Sequence, residues 1–204
     1  FPTRRSSDLM AIERCKMTEL EPRYRAGKLR EEVNQGLTAQ QAVAEARRCL
    51  DCGNPGCVTG CPVGIDIPRF IKHIESGDFA AAATTIKETS SLPAVCGRVC
   101  PQEKQCESKC IHLKTGGKAV AIGYLERFAA DWQRENGKVS PIKPVRKKNK
   151  PIAVVGSGPA GLSFAGEMTK RGYDVTVFEA LHEIGGVLKY GIPEYRLTNS
   201  IVDA

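Results

Sequence analysis

Eight of the nine cysteines fall in two groups along the chain. In the first group two, four and three residues separate successive members, which are Cys49, Cys52, Cys57 and Cys61. In the second group the gaps are three, five and three residues, and the members are Cys96, Cys100, Cys106 and Cys110. Glycine and proline within these segments let the backbone wrap around a compact centre. Thiols clustered at such short spacings indicate a polynuclear metal site.

The spacing distinguishes iron–sulfur clusters from zinc. Structural zinc sites usually pair two short knuckles, whereas only Cys49 and Cys52 have a two-residue gap. Cys61 and Cys100 each precede proline, as the last cysteine of ferredoxin cluster motifs does. In two-cluster ferredoxins that cysteine binds the other cluster, so Cys61 would cross to the second site and Cys110 would complete the first. Spacing alone then nominates Cys96 for the second site.

A second motif, Gly-Ser-Gly-Pro-Ala-Gly at residues 156–161, follows a β-branched run and precedes a helical segment. Gly156 permits a tight turn, Gly158 lets the backbone approach a pyrophosphate, and Gly161 lets the helix pack close to the strand. The helix N-terminus supplies N–H donors for phosphates. Glu179, 18 positions after Gly161, would accept hydrogen bonds from ribose hydroxyls and repel a 2′-phosphate. The motif therefore predicts a site for FAD or NAD, not NADP.

The elements that position the cysteines are predicted to be helices. A capping box at Thr38 and Gln41 starts a helix that delivers Cys49 and Cys52 at its end. Further helices are expected from Asp66 to Gly77, over 79–88 and over 119–135, and the second cysteine group is expected in irregular chain. The elements that position the glycine motif are a buried strand at 151–155, a helix over 162–171 and a strand at 174–179.

This pattern predicts an α plus α/β fold in which a helical domain precedes the start of a Rossmann-like domain. The predicted limits are 10–140 for the helical domain, 141–150 for a linker and 151–204 for the Rossmann-like part. Residues 1–9 show no apolar periodicity and are interpreted as artefactual sequence ahead of Met10. Because residues 180–204 are too few to complete a doubly wound sheet, we expect the chain to stop inside a domain.

Composition excludes several classes of function. A hydrophobic fraction of 41% and a charged fraction of 26% fit a globular protein, and no apolar run approaches membrane-spanning length. The formal net charge is +7, but the basic run at 146–150 has no interleaved aromatics, so we expect a solvated linker and no nucleic acid. With no secretory signal, the thiols are expected to be reduced, in the cytoplasm. Cys15 is interpreted as a free surface thiol, and the three histidines lack ligand-like spacing.

Together the two halves resemble one family, over roughly residues 15–204. It comprises the small subunit of NADPH-dependent glutamate synthase, the N-terminal region of dihydropyrimidine dehydrogenase and the large subunit of an NADH-dependent ferredoxin:NADP oxidoreductase. The resemblance implies two 4Fe–4S clusters in the helical domain, then an FAD domain into which an NADPH domain is inserted. It implies that hydride from NADPH reduces FAD and that electrons pass through the clusters to a large catalytic subunit or another acceptor protein. A zinc-stabilised helical interaction module fused to a nucleotide-binding domain is the alternative.

The resemblance also assigns residues. The first cluster would take Cys49, Cys52, Cys57 and Cys110. The second would take Cys61, Cys100, Cys106 and a carboxylate or amide on the following helix, here Glu126, where spacing alone nominates Cys96. The expected FAD contacts are Gly156, Gly158, Pro159, Ala160, Gly161, Glu179, Gly185, Gly186, Val187 and Arg196. No side chain is expected to be catalytic, because the chemistry would belong to the cofactors.

Overall fold

The computed structural model describes residues 6–137 and 146–204, and these fall into two compact units. The first unit contains residues 6–19 and 34–137, and the second contains residues 20–33 and 146–204. The segment 20–33 therefore groups with the second unit, although the sequence places it in the helical domain. Half of the predicted linker, residues 141–145, lies outside the described residues, and the domain limits stay a prediction.

Among its described residues, the first unit contains helices and connecting segments, with one isolated β-bridge between Glu19 and Asn34. Its α-helices are α1 (Ser6–Met10), α3 (Ala39–Ala46), α4 (Gly56–Thr59), α5 (Ile67–Glu75), α6 (Phe79–Lys87), α7 (Pro93–Val99) and α8 (Ile122–Asn136). Three 3₁₀ helices lie between the last two, at Gln102–Lys104, Glu107–Lys109 and Ile111–Thr115. Across the described chain, every helix is too short or too polar to cross a bilayer.

Capping residues and an apolar periodicity explain the three helices that the sequence places correctly. Thr38 forms the predicted capping box with Gln41, and the carboxylates of Asp66 and Asp78 accept N-terminal N–H groups of α5 and α6. The apolar positions of α5, α6 and α8 then face one another in a single core. Phe79 packs edge-on against Phe128, with ring centroids 4.9 Å apart. This core fixes the helices from which the cysteine segments depart.

Two boundaries differ from the sequence prediction. The segment that begins at Pro93 is helical, not irregular, because proline is well tolerated in a first helical turn. Helix α8 begins at Ile122, three residues after the predicted start at Ala119. Backbone groups just before this start form hydrogen bonds with side chains outside α8. The Ala119 carbonyl accepts from Arg48, and the Ala121 N–H donates to Glu45. Those contacts hold residues 119–121 outside the helix.

The second unit contains α2 (Pro22–Ala26), β1 (Pro151–Val155), α9 (Pro159–Lys170), β2 (Asp174–Phe178), α10 (Val187–Tyr190) and α11 (Asn199–Asp203). Strands β1 and β2 pair in parallel, with Pro151 opposite Asp174 and Val155 opposite Phe178. The strand–helix–strand order matches the prediction, and α9 starts at Pro159, with Gly158 as its N-cap. The prediction of a buried β1 is wrong for most of its length, since Val154 alone is fully buried and Val155 is 89% exposed.

Candidate metal centre and nucleotide-binding loop

The two cysteine segments lie against each other, and glycines make the approach possible. A Cβ atom added to Gly60 would lie 2.9 Å from the Gln105 carbonyl oxygen and 3.1 Å from the Cys106 Cα. One added to Gly56 would lie 3.0 Å from the Lys109 carbonyl oxygen. The 2.9 Å distance is shorter than Cβ atoms tolerate and the other two are tight, so a larger residue at Gly60 would force a shift and one at Gly56 would crowd its neighbour. Helix α4 therefore lies directly on the chain that carries Cys106 and Cys110.

One set of thiols lines a cavity of about 400 Å³. Its cysteines are Cys49, Cys52, Cys57 and Cys110. Burial raises the pKa of Cys57 to about 12, and the negative charges of Cys49 and Cys110 add to the shift. Burial also raises the pKa of Cys49, with a smaller contribution from Cys52. Three thiols from the first segment and one from the second thus share a pocket, in the combination expected for the first site.

A second set gathers around a buried carboxylate on α8. Burial, followed by the charge of Glu126, raises the pKa of Cys96 to about 12 and that of Cys100 to about 11. Burial and the charges of Glu107, Cys61 and Glu126 raise the pKa of Cys106 to about 12. The structure therefore brings Cys61 from the first segment to the second set. It places both Glu126 and Cys96 there, so the choice between them stays a prediction.

Glu126 is 5% exposed, and its Oε1 atom has no hydrogen-bond partner among the described residues. Burial raises the pKa of this carboxyl group to about 8. An unsatisfied buried polar group costs about 1–3 kcal/mol, so a structure keeps one only when something else compensates. A ligand bound at the neighbouring thiols would satisfy it.

The arrangement fits a group larger than one ion. Within the described residues, no three His, Cys, Asp or Glu side chains are close enough together to hold a single metal ion. A tetrahedral zinc site needs all its sulfurs at about 2.3 Å from one centre. Here four thiols surround a cavity, and a second set adjoins a carboxylate without a partner. The donor types and the space suit iron–sulfur clusters, which bind thiolates.

A buried ion pair next to Cys49 was not expected from the sequence. Arg48 and Glu45 are both fully buried, with Nη1 and Oε1 2.6 Å apart. The Arg48 guanidinium also donates to the carbonyls of Ile12, Lys118 and Ala119. Opposite charges three positions apart in a helix are common on protein surfaces, so the spacing did not indicate burial.

Glu45 also forms a hydrogen bond with Cys15. The Cys15 N–H donates to Glu45 Oε2 at 2.6 Å, and its thiol donates to the Gln41 carbonyl at 3.5 Å. Burial and the Glu45 charge raise the pKa of this thiol. Cys15 is a free thiol, as interpreted, but it is half-buried instead of lying on the surface, and it helps to close the N-terminal segment onto α3.

His112 is a further residue that sequence reasoning missed. It is 1% exposed, it lines the same cavity as the first set of thiols, and its Nε2 lies 2.8 Å from the Arg48 carbonyl oxygen. Arg48 directly precedes Cys49, and His112 follows Cys110 by two positions. Its position so close to a predicted ligand was the one available signal, because a contact across 64 residues leaves no local pattern.

In the glycine motif, the fold requires glycine at positions 156 and 161 but not at position 158. Gly156 adopts φ +93°, and a Cβ on Gly161 would lie 2.0 Å from the Gly156 carbonyl oxygen. The tight turn and the close helix packing are thus as expected. Gly158 has φ −67°, and no described atom lies within 4 Å of a Cβ placed there. The space in front of Gly158, at the N-terminus of α9, is open to an approaching phosphate.

Glu179 lies at the end of β2 as predicted but bonds chiefly to Ser157. Its Oε2 accepts from the Ser157 N–H at 2.8 Å and from the Ser157 hydroxyl, and its Oε1 accepts from the Leu181 N–H at 2.9 Å. These hydrogen bonds, that of the Ser157 hydroxyl foremost, lower its pKa to about 2. The Ala180 N–H adds a weaker hydrogen bond, so the chain itself uses about all four acceptor positions of the carboxylate, and a ribose hydroxyl would have to share one of its oxygens. Ser157 is fully buried and was missed, since its position in the motif accepts any residue.

The second predicted contact region meets the first. Gly185 and Gly186 have φ +116° and +53°, and a Cβ on Gly186 would lie 2.9 Å from the Gly158 Cα. The Gly185 N–H donates to the Ser157 hydroxyl at 3.0 Å. Val187 then begins α10, about half exposed. Pro159 and Ala160 form the first turn of α9, and Arg196 lies exposed after the turn at Pro193.

Comparison with known proteins agrees with both halves of the chain. Residues 25–138 match the family described as dihydropyrimidine dehydrogenase domain II, 4Fe-4S cluster, and residues 154–198 match the NAD(P)-binding Rossmann-like domain. The chain is 40% identical over 172 residues to the glutamate synthase [NADPH] small chain of Halomonas elongata, covering 84% of this chain and 36% of that protein.

Two Escherichia coli K12 proteins are equally similar. The chain is 40% identical over 174 residues to the NAD-dependent dihydropyrimidine dehydrogenase subunit PreT, covering 85% of this chain and 42% of that subunit. It is 40% identical over 172 residues to the putative oxidoreductase UacF, covering 84% of this chain and 27% of UacF. The chain thus spans well under half the length of these relatives. Because the first family match covers more than half of the sequence, the chain belongs to the dihydropyrimidine dehydrogenase domain II, 4Fe-4S cluster family, and in it an iron–sulfur domain is followed by the start of an NAD(P)-binding Rossmann-like domain.

Proposed function

We propose that this chain is the electron-transfer part of an NAD(P)H-dependent oxidoreductase, most similar in role to the glutamate synthase small subunit. The observation that carries the proposal is the shared cavity. Thiols of two distant segments line it, and it is large enough for a cluster. The names of the relatives, an NADPH glutamate synthase small chain and an NAD-dependent dehydrogenase subunit, support the same class of reaction.

The chain provides two cluster sites under this proposal. The first consists of the cavity cysteines, Cys49, Cys52, Cys57 and Cys110. The second consists of Cys61, Cys100, Cys106 and Glu126. Glu126 supports the second set, because its buried Oε1 atom has no partner among the described residues and its charge helps to raise the pKa of Cys96, Cys100 and Cys106. The thiols must lose their protons to bind iron, and the raised pKa values of Cys49, Cys57, Cys100 and Cys106 oppose that loss until the metal is present.

The glycine loop binds FAD in this proposal. The expected contacts come from the loop and α9, from Gly185, Gly186 and Val187, and from the Arg196 guanidinium. The open space before Gly158 supports an adenosine diphosphate group there. A 2′-phosphate would meet the ionised Glu179, so NADPH would bind outside this chain. When bound, the flavin accepts an electron pair and the clusters carry single electrons.

The residues of the chain then serve to hold and shield these groups. The apolar walls of the cavity, which include Ile67, Ile71 and Val120, keep water from the first cluster. The helix N-terminus and the Ser157–Glu179 pair hold the loop in shape. Electrons would leave to a large catalytic subunit or another acceptor protein in the cytoplasm.

A second assignment, a subunit of the dihydropyrimidine dehydrogenase type, has specific support. The identity to PreT is the same 40%, over nearly the same length as the identity to the glutamate synthase small chain. Both candidates need the same clusters and flavin. They differ in the acceptor, so purified protein mixed with each type of partner subunit would separate them.

Metal and flavin analysis of anaerobically purified protein tests the proposal. We expect about eight iron and eight acid-labile sulfide per chain, as two 4Fe–4S clusters require. Stoichiometric zinc in a colourless protein would instead support a zinc-stabilised interaction module and overturn the electron-transfer assignment.

A further inference from the structure

One hydrogen bond joins the two segments that meet at the first set of thiols. The His112 Nε2 and the Arg48 carbonyl oxygen are 2.8 Å apart, in a buried position. The Arg48 carbonyl belongs to the peptide bond whose nitrogen is that of Cys49. His112 lies two residues beyond Cys110, the only thiol in the cavity that comes from the second segment.

The chemistry of the two atoms fixes the direction of this bond. A carbonyl oxygen can only accept, so the Nε2 atom must carry the proton and donate. The ring forms part of the cavity wall but is only 1% exposed, so water has little access to the bond. The bond therefore holds the ring, and with it the chain after Cys110, at a fixed distance from Cys49.

The accepting side of the bond is itself immobilised. The guanidinium of Arg48 is paired with Glu45 and donates to the carbonyls of Lys118 and Ala119. On the other side of the thiol segment, Lys72 Nζ donates to the Cys49 carbonyl at 3.3 Å. The backbone at residues 48–49 is thus tied to α3, to α5 and to the approach of α8, and His112 connects Cys110 to this fixed point.

We propose that His112 is a positioning residue for the first cluster, which it serves by holding the Cys110 segment in register with the Cys49 segment. The inference rests on the proposed function, since it concerns a site for that cluster. Cys110 depends on this bond more than the other three ligands do, because they share one continuous segment. Loss of the bond weakens the hold on Cys110, which then depends on the packing of Lys109 against Gly56, while the second set of thiols keeps its own contacts.

The test compares His112→Leu, which removes the donor, with His112→Gln, whose side-chain amide can donate from a similar place. His73→Leu is the matched control, because His73 is a partly buried histidine of the same unit that does not line the cavity. The whole chain is reconstituted with iron and sulfide. Iron, sulfide, electron paramagnetic resonance spectra and the rate of iron loss to a chelator are then measured, together with the urea midpoint of unfolding.

We expect His112→Leu to fall from about eight to about four iron per chain, with the spectrum of the second cluster unchanged. Its affinity for the first cluster should fall at least about tenfold, as when other outer partners of metal ligands are removed. His112→Gln should restore the first cluster, and His73→Leu should resemble the wild type.

Two results would overturn the inference alone. One is a His112→Leu chain that keeps both clusters and releases iron at the wild-type rate. The other is loss of both clusters in step with a lowered urea midpoint, with no recovery in His112→Gln, since that result marks a general folding role. A wild-type chain that takes up no iron–sulfur cluster would instead overturn the cluster assignment itself.

Discussion

At the scale of single residues, the candidate site depends on groups whose burial would be unfavourable without a ligand. Glu126 is the clearest case, since its Oε1 atom is buried without a partner among residues 6–137 and 146–204. His112 and the Arg48–Glu45 ion pair beside Cys49 serve a different purpose. They are buried too, but they form hydrogen bonds and an ion pair within the protein. The first kind of group predicts a ligand, and the second kind predicts rigidity.

The first prediction separates Glu126 from Cys96 as the last ligand of the second cluster. Glu126→Ala should lose that cluster and keep the first, so that iron falls to about half. Glu126→Gln should retain it, because the amide oxygen can still bind. Cys96→Ser should leave both clusters in place. Iron content and cluster spectra of the three variants decide the matter, and the opposite pattern would assign the site to Cys96.

The second prediction compares two glycines of the nucleotide loop. Alanine fits at Gly158, so the free energy of unfolding should stay the same or rise by up to about 1 kcal/mol, while bound flavin decreases. Gly161→Ala should unfold the unit more easily, because its Cβ would overlap the Gly156 carbonyl oxygen. Urea unfolding and flavin content are the measurements. Flavin content unaffected by Gly158→Ala would argue against a phosphate at that position.

At the scale of elements, the helices that form locally could be predicted and the contacts between distant segments could not. Thr38, Asp66 and Asp78 cap their helices as the sequence indicates, and the two strands lie where β-branched runs place them. Helix α7 was missed because its proline and glycine resemble loop residues. Glycine at position 97 serves packing instead, since a Cβ there would lie 2.5 Å from the Arg127 N.

Contacts between distant segments were also the part of the candidate metal centre and nucleotide loop that the sequence did not predict. The division of the cysteines into two groups was visible in their spacing, and the crossing of Cys61 and Cys110 followed from the ferredoxin pattern. His112, Glu45 and Ser157 were not predicted, because each acts through a partner 22 or more positions away in the sequence. No local periodicity records such contacts.

The third prediction concerns the crossing of α7 and α8. Gly97→Ala should push the two helices apart at Arg127, displace the adjacent Glu126 and destabilise the unit by about 1–3 kcal/mol. The second cluster should be lost before the first. Gly53→Ala is the control, because no described atom lies within 4 Å of its Cβ. Equal effects of the two substitutions on iron content and unfolding would contradict the packing argument.

At the scale of the whole chain, two cofactor motifs occur in one sequence and in two separate units. The helical unit has a core of its own, but its segment 102–115 consists of short 3₁₀ turns, and burial there raises the pKa of Cys106 to about 12. Such a segment gains order from bound metal. The second unit holds its glycine loop through hydrogen bonds that need no metal.

The fourth prediction follows from that difference. Removal of iron with a chelator should increase amide hydrogen exchange in α4 and in residues 102–115, while β1, α9 and β2 keep their protection. Hydrogen-exchange mass spectrometry of the loaded and metal-free chain measures this directly. An equal increase in both units would show that the metal does not act on the helical unit in particular.

The most direct test of the account asks which cluster Cys110 serves. Mössbauer spectra would be recorded for chains loaded with isotopically enriched iron and carrying Cys110→Ser, Cys49→Ser or Cys106→Ser. The account predicts that Cys110→Ser alters the same cluster as Cys49→Ser, because both thiols line one cavity. If Cys110→Ser instead altered the cluster that Cys106→Ser affects, the two segments would not exchange ligands and the account would be contradicted.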